Sequence, residues 1–198
     1  MIKTEIRIGG LGGQGVILCG MIIGKAAAIY DGKHATLIQA FGPEARGSAC
    51  SAQVTVSDAA IGYPYVKRPD ILVVMSRDAC ARFLPELRPG GLLLYEEELV
   101  DLPPVLPDGV RAYGIPATRF AEEIGRRLVL NIVMVGFFAG VSDLLDAASV
   151  ERALLDSVPK GTEDLNRRAF RRGYEHGCAA VGKVPEAAID VTTCPVCG

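Results

Sequence analysis

Gly10, Gly12, Gly13 and Gly15, with Leu11 and Gln14 between them, are the residues whose types and spacing point most directly to chemistry. They fit G-x-G-x-x-G after an alternating strand pattern and before an apolar helical run, where that motif has physical meaning. Glycine permits the tight turn and lets the backbone approach a ligand, and the first amides of the following helix point at any anion placed there. The chemistry is anion binding, with Gly12, Gly13, Gln14 and Gly15 as candidate contacts. Close packing of strand on helix is the competing reason for glycine at these places.

A second group lies in Phe41-Gly42-Pro43-Glu44-Ala45-Arg46-Gly47-Ser48, a polar loop between two strands. In a parallel sheet the carboxyl ends of the strands face the ligand crevice, and the glycine loop lies on that side too. Arg46 is therefore a candidate partner for the same anion; a solvated Arg46 paired with Glu44 is the alternative. A third group is Cys194-Pro195-Val196-Cys197-Gly198. Cys194 and Cys197 have the spacing of one knuckle of a zinc ribbon, and tetrahedral zinc needs two ligands more. Cys178 and His176 supply them only if the tail folds back on the last helix. A redox dithiol and an inert tail remain the other readings.

Other chemistries find little support. A dinucleotide site wants an acid about 20 residues beyond the glycines, at the end of the second strand. That strand ends in Gln39, Ala40 and Phe41, Asp31 comes too early, and no Gly-Lys-Ser/Thr follows the glycines. The two histidines, His34 and His176, sit in no nucleophile motif. Glu96-Glu97-Glu98 reads as a solvated turn, and Arg167, Arg168, Arg171 and Arg172 as a solvated basic face of the last helix.

The elements that must position these groups follow from periodicity. Ile2, Thr4, Ile6 and Ile8 alternate with Lys3, Glu5 and Arg7, a strand with one polar face. Val16 to Tyr30 reads as a helix of about four turns. His34–Ala40, Ala49–Val56, Ile71–Met75, Leu92–Tyr95 and Val110–Ile115 read as strands. Arg77–Leu84, Ala117–Ile124, Asn131–Gly140, Val150–Val158 and Thr162–Val181 read as helices, with Thr162 the candidate cap of the last. This alternation predicts an α/β fold, a Rossmann-like, mainly parallel sheet with helices on both faces and a helical C-terminal part. The pattern predicts one domain over residues 1–181 and an extended tail over residues 182–198.

Composition agrees. With 198 residues, 49% hydrophobic and 22% charged, the chain has ample material for one core. A formal net charge of −2 argues against nucleic-acid or membrane-surface binding. The apolar run Leu128–Ser142 is shorter than the roughly 20 residues of a spanning helix and contains Asn131. With no secretory signal, the expected compartment is the cytoplasm, and a disulfide framework among the six cysteines is the weaker reading.

At these motifs the chain resembles the gamma subunit, or gamma domain, of 2-oxoacid:ferredoxin oxidoreductases. The resemblance covers about residues 3 to 178. It rests on Gly10 to Val16, Gly42 to Gly47, Val54 to Asp58 with Ile61 and Tyr63-Pro64, and Pro69 to Val73. It continues through Asn131 to Gly136 and closes with Asn166 to Phe170 and Gly173-Tyr174. Ser48 departs from a second glycine common after Arg-Gly, and no family role transfers to the terminal cysteines.

The resemblance implies a non-catalytic subunit of a thiamine-diphosphate, iron–sulfur enzyme. That enzyme oxidatively decarboxylates a 2-oxoacid onto coenzyme A, and the Gly-Pro-Glu-Ala-Arg-Gly wording looks most like the 2-oxoglutarate branch. The chain has no Gly-Asp-Gly…Asn-Asn thiamine-diphosphate signature and no ferredoxin-type run of four cysteines. Thiamine diphosphate, magnesium and the iron–sulfur clusters are therefore expected on partners: alpha and beta subunits and a ferredoxin-like subunit. Ferredoxin or another carrier would accept the electrons. The gamma domain is implicated in coenzyme A binding, which matches an anion-accepting glycine loop. A nucleotide-binding regulatory module and a stand-alone Rossmann-type oxidoreductase are the rival readings.

Overall fold

The computed structural model describes residues 3–41 and 49–185. The elements in chain order are β1 (Lys3–Leu11), α1 (Val16–Lys25), β2 (His34–Phe41), β3 (Ala49–Ser57), β4 (Ile71–Val74) and α2 (Arg77–Phe83). They continue with β5 (Leu92–Glu96), β6 (Arg111–Ile115), α3 (Ala117–Glu123), α4 (Leu130–Val141), α5 (Ala147–Leu155) and α6 (Glu163–Ala180). The strands form one sheet in the order β2-β3-β1-β4-β5-β6. β1, β4, β5 and β6 run parallel, and β3 runs antiparallel to both of its neighbours, β1 and β2.

That reversal departs from a Rossmann arrangement, in which β2 would lie beside β1. Here β3 intervenes, so β2 forms the outer edge. The end of β2 is thus a full strand spacing further from the glycine loop, roughly 4.8 Å. An acid there would not take the ribose-binding position, which is a topological reason for its absence.

Helices lie on both faces, unequally. Ile6, Ile8, Val54, Ile71, Val73 and Leu94 share a core with α1, α3, α4, α5 and α6. On the other face Leu72, Val74 and Leu93 share a smaller core with α2, the turn after it and Val100, edged by Leu102, Leu106 and Val110. The polar side of β1 is covered as well, because Glu5 and Arg7 are each only 7% exposed. The Arg7 guanidinium donates to the Val66 carbonyl, pairs with Glu86 at 2.7 Å and lies 4.9 Å over the Phe83 ring. Burial pulls its pKa below the ordinary value, against the opposing pull of Glu86.

α1 runs into a widened turn at Ala26–Tyr30, closed by the Asp31 amide on the Ala26 carbonyl at 3.0 Å. The expected fifteen-residue helix is therefore present, but its last third is π-type. α5 begins at Ala147, three residues before the expected start, because Asp146 accepts from the Ala148 amide and caps it. Thr162 precedes α6 without making a capping bond. Its hydroxyl instead donates to the Pro159 carbonyl at 2.7 Å and accepts from Asn166 at 3.0 Å.

Two expectations of solvated charge are corrected. Glu96 is fully buried, and its carboxylate accepts from the Leu99 amide at 2.6 Å and the Thr118 amide at 3.0 Å. It thereby caps the start of α3, which follows Pro116 and has no cap of its own. On α6, Arg167 and Arg171 both converge on the largely buried Glu151, at 3.3 and 3.6 Å. Arg172 lies 3.9 Å over the Phe120 ring, and only Arg168 follows the solvated reading outright.

Among the described residues, the closest packing is α4 on α6. All twelve residues of α4 are buried. A Cβ on Gly136 would overlap the Phe170 carbonyl oxygen, and one on Gly173 would overlap the Val133 carbonyl oxygen. Gly140 and Gly177 repeat the arrangement one turn on, so each helix sets its backbone into a notch of the other.

Candidate anion-binding site

The glycine loop joins β1 to α1 at the rim where the parallel strands end. The Gln14 amide donates to the Leu11 carbonyl at 3.1 Å and closes the turn. The Gln14 side chain then braces it. Its Oε1 accepts from the Leu11 amide at 2.6 Å, and its Nε2 donates to the Met75 carbonyl at 2.8 Å. Met75 follows β4 and is itself bonded to the Gly9 carbonyl at 2.9 Å, so Gln14 ties the loop to the neighbouring strand. Both ends of this side chain are engaged inside the protein.

The glycines of the loop divide by what surrounds them. A Cβ on Gly9 would sit 2.8 Å from the Phe83 ring, and one on Gly10 would sit 2.7 Å from Gln14 Oε1. Those two positions serve close packing. Gly13 has φ +96° and nothing within 4 Å of the place a Cβ would take. Gly15, with φ +73°, precedes α1 in the left-handed conformation, which favours glycine. A Cβ there would overlap Asn131 Nδ2 and come 2.7 Å from its Cγ.

No side chain caps the N-terminus of α1, and no acidic residue stands in its first turn. The partial positive charge at that helix start thus meets no side-chain cap among the described residues, and none of them lies within 4 Å of the place a Gly13 Cβ would take. Cys19, one turn in, is 2% exposed, and burial pushes its thiol up to about 12. It is a core residue and no nucleophile.

The end of β2 and the start of β3 lie at this same rim, where Ala49 pairs with Leu11 and Cys50 with Phe41. Arg46 itself lies outside the described residues, as do Cys194 and Cys197. Of the two groups considered as further zinc ligands, Cys178 is 1% exposed in the α4–α6 contact. His176 faces the Gly114 carbonyl at 3.3 Å, between the rings of Phe120 and Phe137. Both are occupied by the fold.

Asn131 is the site residue that the sequence reading does not assign. Its signal is visible in hindsight as a lone amide opening an otherwise apolar helix. Two further clefts, of about 450 and 620 Å³, open at the far end of the molecule beside the starts of the parallel strands and the end of α4. Neither includes the glycine loop.

Comparison with known proteins gives a consistent picture. The model of the family described as pyruvate ferredoxin/flavodoxin oxidoreductase matches residues 5–176. The 2-oxoglutarate synthase subunit KorC of Methanocaldococcus jannaschii is 46% identical over 175 residues, 88% of this chain and 94% of that protein. The gamma subunit of a keto/oxoacid ferredoxin oxidoreductase from Geobacter sulfurreducens superposes with a TM-score of 0.82 at 36% identity, over 91% of this chain and 99% of that one. The same fold makes up 32% of a chain of the 2-oxoglutarate:ferredoxin oxidoreductase from Magnetococcus marinus. There the TM-score is 0.81 at 24% identity, over 90% of this chain.

Proposed function

This chain belongs to the pyruvate ferredoxin/flavodoxin oxidoreductase family, and from that premise we propose that it is the gamma-type subunit of a 2-oxoglutarate:ferredoxin oxidoreductase. The observation that carries the reading is the nearly end-to-end match, at 46% identity, to a subunit named for 2-oxoglutarate synthase. The subunit is non-catalytic by itself. Thiamine diphosphate, magnesium and the iron–sulfur clusters belong to the alpha, beta and ferredoxin-like subunits, and ferredoxin takes the electrons.

This chain contributes assembly and a coenzyme A contact. Coenzyme A supplies the thiol that takes up the acyl group, and its phosphates suit the uncapped start of α1. Gly13 leaves open space beside the loop, Gly12 and Gly15 would offer backbone contacts, Gln14 holds the loop in shape, and Arg46 would add a guanidinium. Cys194 and Cys197 offer two of the four thiolates or imidazoles that zinc needs. With Cys178 and His176 engaged elsewhere, a zinc site would take its other ligands from a partner. No helix among the described residues is long and apolar enough to cross a membrane. The four described cysteines are all free, which suits the reducing cytoplasm.

Purification from the native source tests the assembly. The chain is expected to bring thiamine-diphosphate and iron–sulfur subunits with it and to show no 2-oxoacid oxidation alone; full activity of the isolated chain would overturn the proposal. In the assembled enzyme Arg46→Ala is expected to raise the KM for coenzyme A roughly tenfold to a hundredfold, the value of one charge-assisted bond. The KM for 2-oxoglutarate should stay nearly constant. An assembled mutant with an unaltered coenzyme A constant would remove Arg46 from the site.

A further inference from the structure

Asn131 is a polar side chain in a place that otherwise excludes polarity. It is 4% exposed, and every other residue of α4 is apolar or glycine. Its backbone carbonyl accepts from the Cys19 thiol at 3.4 Å. Its side-chain amide takes no part in the hydrogen bonds of the described residues, and it is not among the fully enclosed unpaired polar atoms, so it keeps a path to whatever lies at the rim. That amide lies against Gly15, whose missing Cβ is what admits it. Gly15 precedes α1, so Asn131 lies at the start of a helix whose first amides no described side chain caps.

Side-chain donors at this rim are few. Gln14 is bonded at both ends, to Leu11 and to Met75. We propose that Asn131 is a ligand-binding residue, its Nδ2 donating to a phosphate oxygen held at the start of α1. The inference rests on reading the glycine loop as an anion site, and it makes Asn131, not Gln14, a side-chain donor there. A neutral donor suits the position, since a cation would be poorly solvated at a residue so deeply buried. Asparagine adds a hydrogen bond to the partial charge that the helix start already provides.

The nearly isosteric Asn131→Asp variant is the sharpest test, because it keeps the shape and sets a negative charge where the phosphate would lie. In the assembled enzyme it should raise the KM for coenzyme A at least tenfold. The response to pantetheine, which lacks the phosphates, should be no different from that of the unaltered enzyme. Asn131→Ser, which keeps a donor on a shorter side chain, should fall between. An Asn131→Asp enzyme with an unchanged coenzyme A constant overturns the inference about Asn131. The wider reading of the loop survives that result if Gly13→Val, which fills the open space, still raises the constant. If neither variant moves it, the loop is no phosphate site and both readings fall. Should the Asn131 variants not assemble, hydrogen exchange on the unaltered complex decides. Coenzyme A must then slow the amides of residues 16–18, and no slowing there overturns the proposal.

Discussion

Glycine serves opposite ends in two regions of this molecule. Between α4 and α6, Gly136, Gly140, Gly173 and Gly177 are glycine because no space exists beside them. At the rim of the sheet, Gly13 is glycine with nothing within 4 Å, and its backbone has the positive φ that other residues avoid. One set closes the structure and the other keeps a place open. Density of glycine alone therefore carries no meaning; what lies where the Cβ would be decides it. Gly15 belongs to both kinds, since its positive φ shapes the loop and its missing Cβ accommodates Asn131.

Substitution by alanine should rank these positions by that difference. Gly136→Ala sets a methyl group into the Phe170 carbonyl, which is main chain and cannot yield as a side chain does. A loss of about 3 kcal/mol or more is expected, at the upper end of overpacking. A denaturant midpoint matching the unaltered protein would show that α4 and α6 can separate at little cost. Gly15→Ala comes next. The left-handed backbone costs about 1–2 kcal/mol for a residue with a Cβ, and Asn131 must move as well. Thermal melting should register the loss, and the coenzyme A constant of the assembled enzyme should rise with it. Alanine at Gly13 should cost only about 1 kcal/mol, the conformational part alone. Stability equal to that of Gly15→Ala would mean that Asn131 adds nothing to the constraint at Gly15. Smallest of all is Cys19. With its thiol held near 12 by burial, it should stay unmodified by iodoacetamide in the folded protein at neutral pH and react only after denaturation. Rapid native labelling would show that the start of α1 opens readily.

Much of this was legible in the residues. The β1–loop–α1 unit follows from alternation, glycines and an apolar run, and Ile71–Met75 reads as a strand covered on both faces because it holds no polar residue; β4 spans Ile71–Val74 with all four residues buried. Direction was not legible, since a period of two is the same whichever way a strand runs. The available signal was length. Seven residues separate β2 from β3, whereas a parallel crossover takes a dozen or more. Glu96 was hidden inside a run of three identical residues. Its phase gives it away, because it falls on the same side as Leu92 and Leu94, which face the large core. The arginines of α6 looked solvated because their common partner, Glu151, lies on another helix. In the site, the loop was legible and its brace was not, for the contact of Gln14 with Met75 spans sixty-one residues.

The place of β2 at the end of the sheet has a consequence for biogenesis. The strand His34–Phe41 reads His-Ala-Thr-Leu-Ile-Gln-Ala-Phe, without one lysine, arginine, acid or proline. Soluble proteins usually guard an open edge with such residues, because its unpaired amides and carbonyls otherwise recruit another strand. Newly made chains would therefore adhere to one another as their concentration rises. Synthesis in step with whatever covers that edge becomes a requirement for a usable yield, quite apart from any part the chain plays in turnover.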